Sequence, residues 1–252
     1  MSTLLVDIGN TRVKWAVLRG SKMSGMQAAL HRGEPAALRA LVRGSRGISH
    51  VVAVCVAGTH LERALTAALK QRFGFAPQFI RSTREALGVL SGYRETWRLG
   101  ADRWVGAVGA FHLLGGRAVV VANVGTALTI DAVNAKGKHL GGAIVPGPSA
   151  MIDSLLAGTH GIRKRAGGKA SARSLFAADT ASALSAGATY AAAAFIDRAV
   201  REAGAVMGAR PVLILTGGAA PALHTYIKSK ARMAPDLVLR GLAVFALAAG
   251  QD

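Results

Sequence analysis

The stretch Leu4-Leu-Val-Asp-Ile-Gly-Asn-Thr11 decides the fold, because a similar one, Val119-Val-Val-Ala-Asn-Val-Gly-Thr126, follows about half a chain length later. Each copy is an apolar run that ends in Asp or Asn, one further residue and a glycine. Alternating apolar residues follow both copies and predict a second strand directly after each turn. Each copy therefore predicts a strand, a tight glycine turn and another strand, and the repeat predicts two related halves.

The segments around the two copies predict alternating helices and strands. Helices are expected from Glu34-Pro35 to about 46, over 61–73, after Pro146-Gly-Pro148, over 181–207, from about 219 and over 241–249, and strands over 50–57, 77–80, 139–145 and 211–216. Meandering strands that give way to alternating strands and helices describe a mixed sheet. We therefore expect an α/β protein with helices on both faces of each sheet.

The composition excludes several classes of protein. The chain has 252 residues, of which 51% are hydrophobic, which indicates a folded core rather than disorder. The single cysteine, Cys55, rules out a disulfide or a cysteine-based zinc site within the chain. No apolar stretch approaches the roughly 20 residues of a membrane span, and Asp7 interrupts any signal-peptide core. We expect a cytoplasmic protein that does not span a membrane.

Motifs of other nucleotide-binding and hydrolytic enzymes are missing. No two of the 31 glycines stand at i and i+2, so a Rossmann dinucleotide site is not expected. The nearest approach to a P-loop ends at Ala170, where a Mg²⁺-binding hydroxyl is needed. The seven histidines form no His-Glu-x-x-His zinc motif.

The first glycine turn carries groups that suit a phosphate. Asp7, at the end of a strand, can hold Mg²⁺ through water, and the turn amides of Gly9 and Asn10 with the Thr11 hydroxyl can cradle phosphate oxygens. Lys14 lies further along the second strand and can reach a terminal phosphate. The alternative is a purely structural polar hairpin turn, in which Asn and Gly are common. The second copy and Thr216-Gly-Gly218 favour the phosphate interpretation.

The stretch Gly100-Ala-Asp-Arg-Trp104 begins a predicted helix. Asp102 can be an N-cap there, with Arg103 in solvent. Alternatively, Asp102 is a general base that takes the proton of a hydroxyl attacking the γ-phosphate of ATP. The residues alone leave both interpretations open.

Five motifs together resemble one family. In chain order they are Asp7-Ile-Gly-Asn-Thr11, Gly100-Ala-Asp-Arg103, Asn123-Val-Gly-Thr-Ala127, Gly141-Gly-Ala-Ile-Val-Pro-Gly147 and Thr216-Gly-Gly218. Their order and spacing resemble type III pantothenate kinases, of the acetate and sugar kinase, Hsp70 and actin superfamily. The resemblance implies two duplicated actin-like (ribonuclease H-like) halves with mixed five-stranded sheets flanked by helices. Residues 1–115 would carry the first phosphate loop, and residues 116–252 the second loop and an adenosine motif.

The resemblance implies ATP-dependent phosphorylation of pantothenate to 4′-phosphopantothenate, the first step of coenzyme A biosynthesis, by a cytoplasmic homodimer with Mg²⁺. Transfer would be direct and in line, with Asp102 as general base and Asp7 holding Mg²⁺ through water. The ATP-binding residues would be Asp7, Ile8, Gly9, Asn10, Thr11, Arg12, Val13, Lys14 and Thr126. The pantothenate-binding residues would be Tyr93, Gly100, Ala101, Asp102, Arg103 and, reaching across the dimer, Thr180.

Two positions depart from the family pattern. Asn123 stands where the family usually has an Asp that ligates K⁺ or NH₄⁺, so we expect weaker binding of the monovalent cation. Thr96 stands where a proline is usual, which is expected to loosen the substrate loop without changing the chemistry.

Two alternative functions also fit the sequence. The formal charge of +18 and the pI near 11.4 suit a nucleic-acid-binding or transcription accessory protein on the same fold. Against this, the basic residues are scattered and aromatic residues make up only 5%, so no specific nucleic acid is expected. The other alternative keeps the kinase and replaces pantothenate with another small alcohol.

Overall fold

The computed structural model describes residues 2–168 and 170–250. The strands are β1 Ser2–Ile8, β2 Arg12–Arg19, β3 Lys22–Met23, β4 Gln27–Leu30, β5 His50–Cys55, β6 Gln78–Phe79, β7 Glu85–Ala86, β8 Val89–Leu90, β9 Val119–Val124, β10 Ala127–Val133, β11 His139–Pro146, β12 Val212–Thr216 and β13 Ala231–Met233. The helices are α1 Ala36–Gly44, α2 Thr59–Phe73, α3 Ala101–Leu113, α4 Pro148–Gly158, α5 His160–Arg165, α6 Thr180–Met207, α7 Ala220–His224 and α8 Leu237–Ala248, with a 3₁₀ turn at Thr96–Arg98. The predicted α/β fold is confirmed.

The chain forms two compact units. One comprises Met1–Gly116 with Asp236–Asp252, and the other Arg117–Pro235. The first boundary lies one residue from the expected division at 115/116. The C-terminal segment corrects the expected halves, because 236–252 belongs to the first unit, where α8 packs on β1, β2 and β5.

The first sheet has the strand order β3-β2-β1-β5-β6, and β4 pairs with β2 as a sixth strand. β1 runs antiparallel to β2 and parallel to β5, so the sheet is mixed as predicted. Because side chains alternate along a strand, Leu4 and Val6 pack against Leu61 and Leu65 on one face. Leu5 faces the other side, toward the residues of α8.

A close glycine contact joins α8 to α3. A Cβ at Gly109 would lie 2.7 Å from the Cα of Gly241, and a Cβ at Gly241 would overlap the carbonyl of Val105. This contact explains a wrong boundary: the sequence predicted that the last helix begins at Gly241, whereas it begins at Leu237. The glycine lies inside the helix because only a residue without a side chain fits against α3.

The second sheet has the order β11-β10-β9-β12-β13, with antiparallel pairs β11/β10/β9 and parallel pairs β9/β12/β13. The long helix α6 packs Ala192, Ile196 and Val200 against Val120 and Leu128 of this sheet. In the described residues, no helix has the length and apolar character needed to cross a bilayer.

Candidate active site

The first glycine turn joins β1 to β2. The Gly9 N–H donates to the carbonyl of Arg12 over 3.0 Å. Asn10, Thr11 and Arg12 are exposed, so their polar groups are accessible. Ile8 and Val13 are fully buried as a cross-strand pair. These two residues of the predicted ATP-binding stretch therefore can reach a nucleotide only through their backbone atoms.

Asp7 is a buried carboxylate directly across the hairpin from Lys14. Burial raises the pKa of Asp7 to about 7, against the opposing effect of Lys14, and the negative charge of Asp102 raises it further. Lys14 thus compensates the negative charge of the ionised Asp7 carboxylate only in part. Asp102 is therefore close enough to Asp7 for its negative charge to affect the pKa of Asp7.

Asp7 fits a Mg²⁺ ion that is bound mainly through nucleotide and water. Mg²⁺ in kinases usually takes one or two carboxylates and completes its shell with phosphate oxygens and water. The described residues hold no cluster of three or more His, Cys, Asp or Glu side chains suited to a metal. A partly compensated carboxylate at Asp7 is the kind of group that such an ion would neutralise.

The helix α3 positions Asp102. Its N-cap is Gly100, so Asp102 lies in the first turn and is not the N-cap of the structural interpretation. The carboxylate accepts the Arg103 N–H over 2.8 Å. A Cβ at Gly100 would lie 3.0 Å from the Asp102 Oδ1, so the glycine gives this carboxylate room. The first turn of a helix is a place where the negative charge of a carboxylate is stabilised.

Tyr93 and Arg103, both among the pantothenate-binding residues that the resemblance implies, are in contact. The buried Arg103 guanidinium donates to the Tyr93 hydroxyl over 3.1 Å and lies 5.8 Å from the ring centroid. The Tyr93 loop is also held by Arg84, which donates to the carbonyl of Ser91 over 3.1 Å. Thr96, at the position of the family proline, begins a 3₁₀ turn and its carbonyl accepts the Leu99 N–H.

The second glycine turn joins β9 to β10 in the second unit. Thr126 is exposed at its tip, and its carbonyl accepts the Gly147 N–H over 2.9 Å. A Cβ at Gly147 would overlap the carbonyl of Gly125. The glycine-rich stretch that ends at Gly147 thus serves to let its backbone touch the second turn.

Asn123 lies beside the third glycine motif. It is half-buried and in register with Thr216 on the parallel strand β12. A Cβ at Gly217 would lie 2.6 Å from the Asn123 Oδ1, and Gly217 has φ +97°, which favours glycine. The motifs around Asn123, Gly147 and Gly217 therefore meet at one end of the second sheet.

Thr180 lies elsewhere in the second unit. It is the first residue of α6, after the N-cap Asp179, whose carboxylate accepts the Ser182 N–H over 2.8 Å. Thr180 lines an apolar groove of about 370 Å³ among α4, α5 and α6, together with Met151 and Leu184.

His31 was not among the predicted site residues, and its imidazole lies against the first glycine turn. Its Nε2 is 2.6 Å from the carbonyl oxygen of Gly9. A single histidine after a short strand carries no pattern that could have indicated this contact.

Comparison with known proteins decides the family. The family model for type III pantothenate kinases matches residues 3–202. The chain belongs to the type III pantothenate kinase family. It is 37% identical over 247 residues to a type III pantothenate kinase of Nitrosococcus oceani, covering 95% of this chain and 92% of that one. It is 39% identical over 243 residues to the enzyme of the same name in Aromatoleum aromaticum, covering 96% and 97%.

A solved structure shows how far the fold extends beyond type III pantothenate kinases. Acetate kinase from Porphyromonas gingivalis superposes with a TM-score of 0.56 at 10% identity, covering 98% of this chain and 99% of the other. At that identity the likeness concerns the fold alone. Membership in the type III pantothenate kinase family and the actin-like fold class are thus confirmed, and the nucleic-acid-binding alternative is not favoured.

Proposed function

We propose that this protein transfers the γ-phosphoryl group of ATP to the hydroxyl of pantothenate, giving 4′-phosphopantothenate and ADP in the first step of coenzyme A biosynthesis. Its membership in the family supports the reaction. The observation that carries the mechanism is the placement of Asp102 at the start of α3, close enough to Asp7 in the phosphate turn to raise the pKa of Asp7.

Asp102 acts as the general base. As the pantothenate oxygen attacks the γ-phosphorus, its proton passes to the Asp102 carboxylate. The bond from the γ-phosphorus to the β–γ bridging oxygen breaks, and that oxygen leaves on ADP with the electron pair. The Asn10 amide, the Thr11 hydroxyl and the Lys14 ammonium hold the phosphates, with Thr126 as a further nucleotide contact. The expected contact of the Gly9 amide is corrected, because that N–H donates to the Arg12 carbonyl. Mg²⁺ near Asp7 would supply electrostatic stabilisation of the transferring oxygens.

Pantothenate is held beside Asp102. Tyr93, Gly100, Ala101 and Arg103 form the acceptor site, where the Tyr93–Arg103 hydrogen bond fixes the guanidinium. In a cytoplasmic homodimer, Thr180 of each copy reaches the pantothenate of the other. The amide oxygen of Asn123 takes the place of the usual cation ligand, and binds K⁺ or NH₄⁺ weakly because it has no charge.

The experiment is a comparison of Asp102→Asn with Glu202→Gln. Glu202 is an exposed helix residue in the other unit, paired with Arg198, and undergoes the same change of carboxylate to amide. We expect Asp102→Asn to lower kcat by about 10²- to 10⁴-fold while ATP still binds, because a general base contributes about that much. Glu202→Gln should keep the wild-type rate. A near-normal rate in Asp102→Asn would exclude Asp102 as the base.

The acceptor is tested by the wild-type protein. ATP consumption should require pantothenate, and a panel of other small alcohols should give much lower rates. If ATP were consumed only with another alcohol, the protein would still be a kinase, but pantothenate would not be its substrate.

A further inference from the structure

Both ring nitrogens of His31 make hydrogen bonds, and one of them is to the first glycine turn. The side chain is buried, with Nε2 2.6 Å from the Gly9 carbonyl oxygen and Nδ1 2.9 Å from the Gly33 amide nitrogen. An amide N–H can only donate, so Nδ1 accepts and carries no proton. The proton is therefore on Nε2, which donates to the Gly9 carbonyl. These contacts define a neutral imidazole in one tautomer.

The same segment also holds the turn through its backbone. The His31 N–H donates to the Thr11 carbonyl over 3.1 Å. Two carbonyls of the turn, those of Gly9 and Thr11, are thus tied to one residue. Because a peptide unit is planar and trans, fixing a carbonyl also fixes the N–H of the following residue on the opposite side. His31 therefore sets the directions of the Asn10 and Arg12 amides, which face away from it.

The segment that carries His31 is itself held in place. Its chain reverses at Arg32, which has φ +47°, and the Glu34 N–H donates to the His31 carbonyl over 2.6 Å. On α2, the exposed His60 places its Nε2 3.0 Å from the Gly33 carbonyl, which can only accept. A chain of contacts thus runs from α2 through Gly33 and His31 to the phosphate turn.

We propose that His31 is a positioning residue for nucleotide binding, whose neutral imidazole holds the Gly9 peptide so that the Asn10 amide points toward the phosphates. The inference rests on the proposed role of the turn in binding ATP. It assigns no proton transfer to His31 and no contact with the nucleotide. Its effect should therefore fall on nucleotide affinity and leave the affinity for pantothenate unchanged.

The test compares His31→Leu, His31→Gln and the matched control His50→Leu, at an exposed histidine at the start of β5. Leucine removes both ring contacts, whereas glutamine retains one amide donor and one carbonyl acceptor. We expect His31→Leu to weaken ADP binding, and to raise the KM for ATP, by about 10- to 100-fold, with the KM for pantothenate within about twofold. His31→Gln should recover most of the loss. His50→Leu, which removes a histidine ring in contact with Gln78 and not with the His31 segment, should stay within about twofold.

ADP binding by calorimetry needs no acceptor, so it tests this role even if pantothenate proves to be the wrong substrate. Unchanged ADP binding in folded His31→Leu would overturn the proposal, as would an equal rise of both KM values. If His31→Leu does not fold, two other measurements test the proposal. One is ADP binding by His31→Gln, which should stay close to that of wild type, and the other is the tautomer of His31 in the wild-type protein. Nitrogen-15 NMR of labelled histidine at pH 8 should show the His31 proton on Nε2, and a proton on Nδ1 would contradict the inference.

Discussion

The two glycine turns have similar sequences, but the protein holds them by different means. In the first unit, His31 holds the turn with its side chain at the Gly9 carbonyl and with its backbone N–H at the Thr11 carbonyl. In the second unit, the backbone of Gly147 lies directly on the turn and donates to the Thr126 carbonyl. A side-chain tether tolerates small shifts in the backbone, whereas a backbone contact leaves no space for even one methyl group. The two copies therefore share the turn but not the contacts that hold it in place.

The turns also differ in charge. The first presents Asp7, buried and opposite Lys14, and the second presents the uncharged Asn123 at the corresponding place. The electrostatic cost of an incompletely neutralised carboxylate is thus confined to the first turn. In the proposed reaction, that cost is recovered when Mg²⁺ and the nucleotide bind.

Gly147→Ala should have the largest effect, because its Cβ would overlap the Gly125 carbonyl and force the second turn to move. We expect a loss of about 3–5 kcal/mol in the free energy of unfolding, measured with urea. The control is Gly158→Ala, at the end of α4, where a Cβ meets nothing within 4 Å. That variant should be unchanged or slightly more stable. Equal effects of the two substitutions would show that the turn yields easily.

Asp7→Asn should show that the charge of the first turn makes the stability of the protein depend on pH. Folded Asp7 keeps its proton up to about pH 7, whereas the unfolded chain loses it near 3.8. The native state thus binds more protons between these values, and its stability falls as the pH rises through them. Asparagine does not titrate. The free energy of unfolding of the variant, relative to that of wild type, should therefore rise by about 2–4 kcal/mol from pH 4 to pH 8. It is measured without nucleotide or Mg²⁺.

The control for the effect of pH is Thr126→Ala in the second glycine turn. This substitution leaves the charge of the turn unaltered, so its free energy of unfolding should differ from that of wild type by the same amount at pH 4 and pH 8. If Asp7→Asn also differs from wild type by the same amount at pH 4 and pH 8, the burial of a charged Asp7 is not what distinguishes the turns.

The sequence predicted what depends on local pattern. Both hairpins, the strand at β5 and the helix α6 follow from apolar periodicity and turn residues, which act within a few positions. The contact of His31 with Gly9 joins residues 22 positions apart through one side chain, and no periodicity records such a pair. The return of α8 to the first unit depends on Gly241 fitting against α3, and a glycine in a sequence indicates a helix end as readily as a close contact.

Asn123→Asp should have the smallest effect on stability and the most specific effect on function. The position is half-buried, so a carboxylate there should cost only about 1 kcal/mol at pH 8. In the proposed reaction it would add charge to the cation site, and half-maximal activation should occur at severalfold lower K⁺ concentration. Initial rates against K⁺ at constant ionic strength measure this. Asn134→Asp, whose side-chain oxygen still accepts the Lys136 and Lys138 amides, should leave the K⁺ dependence unchanged. An Asn123→Asp curve that superposes on wild type would mean that the missing charge in the second turn has no bearing on the cation.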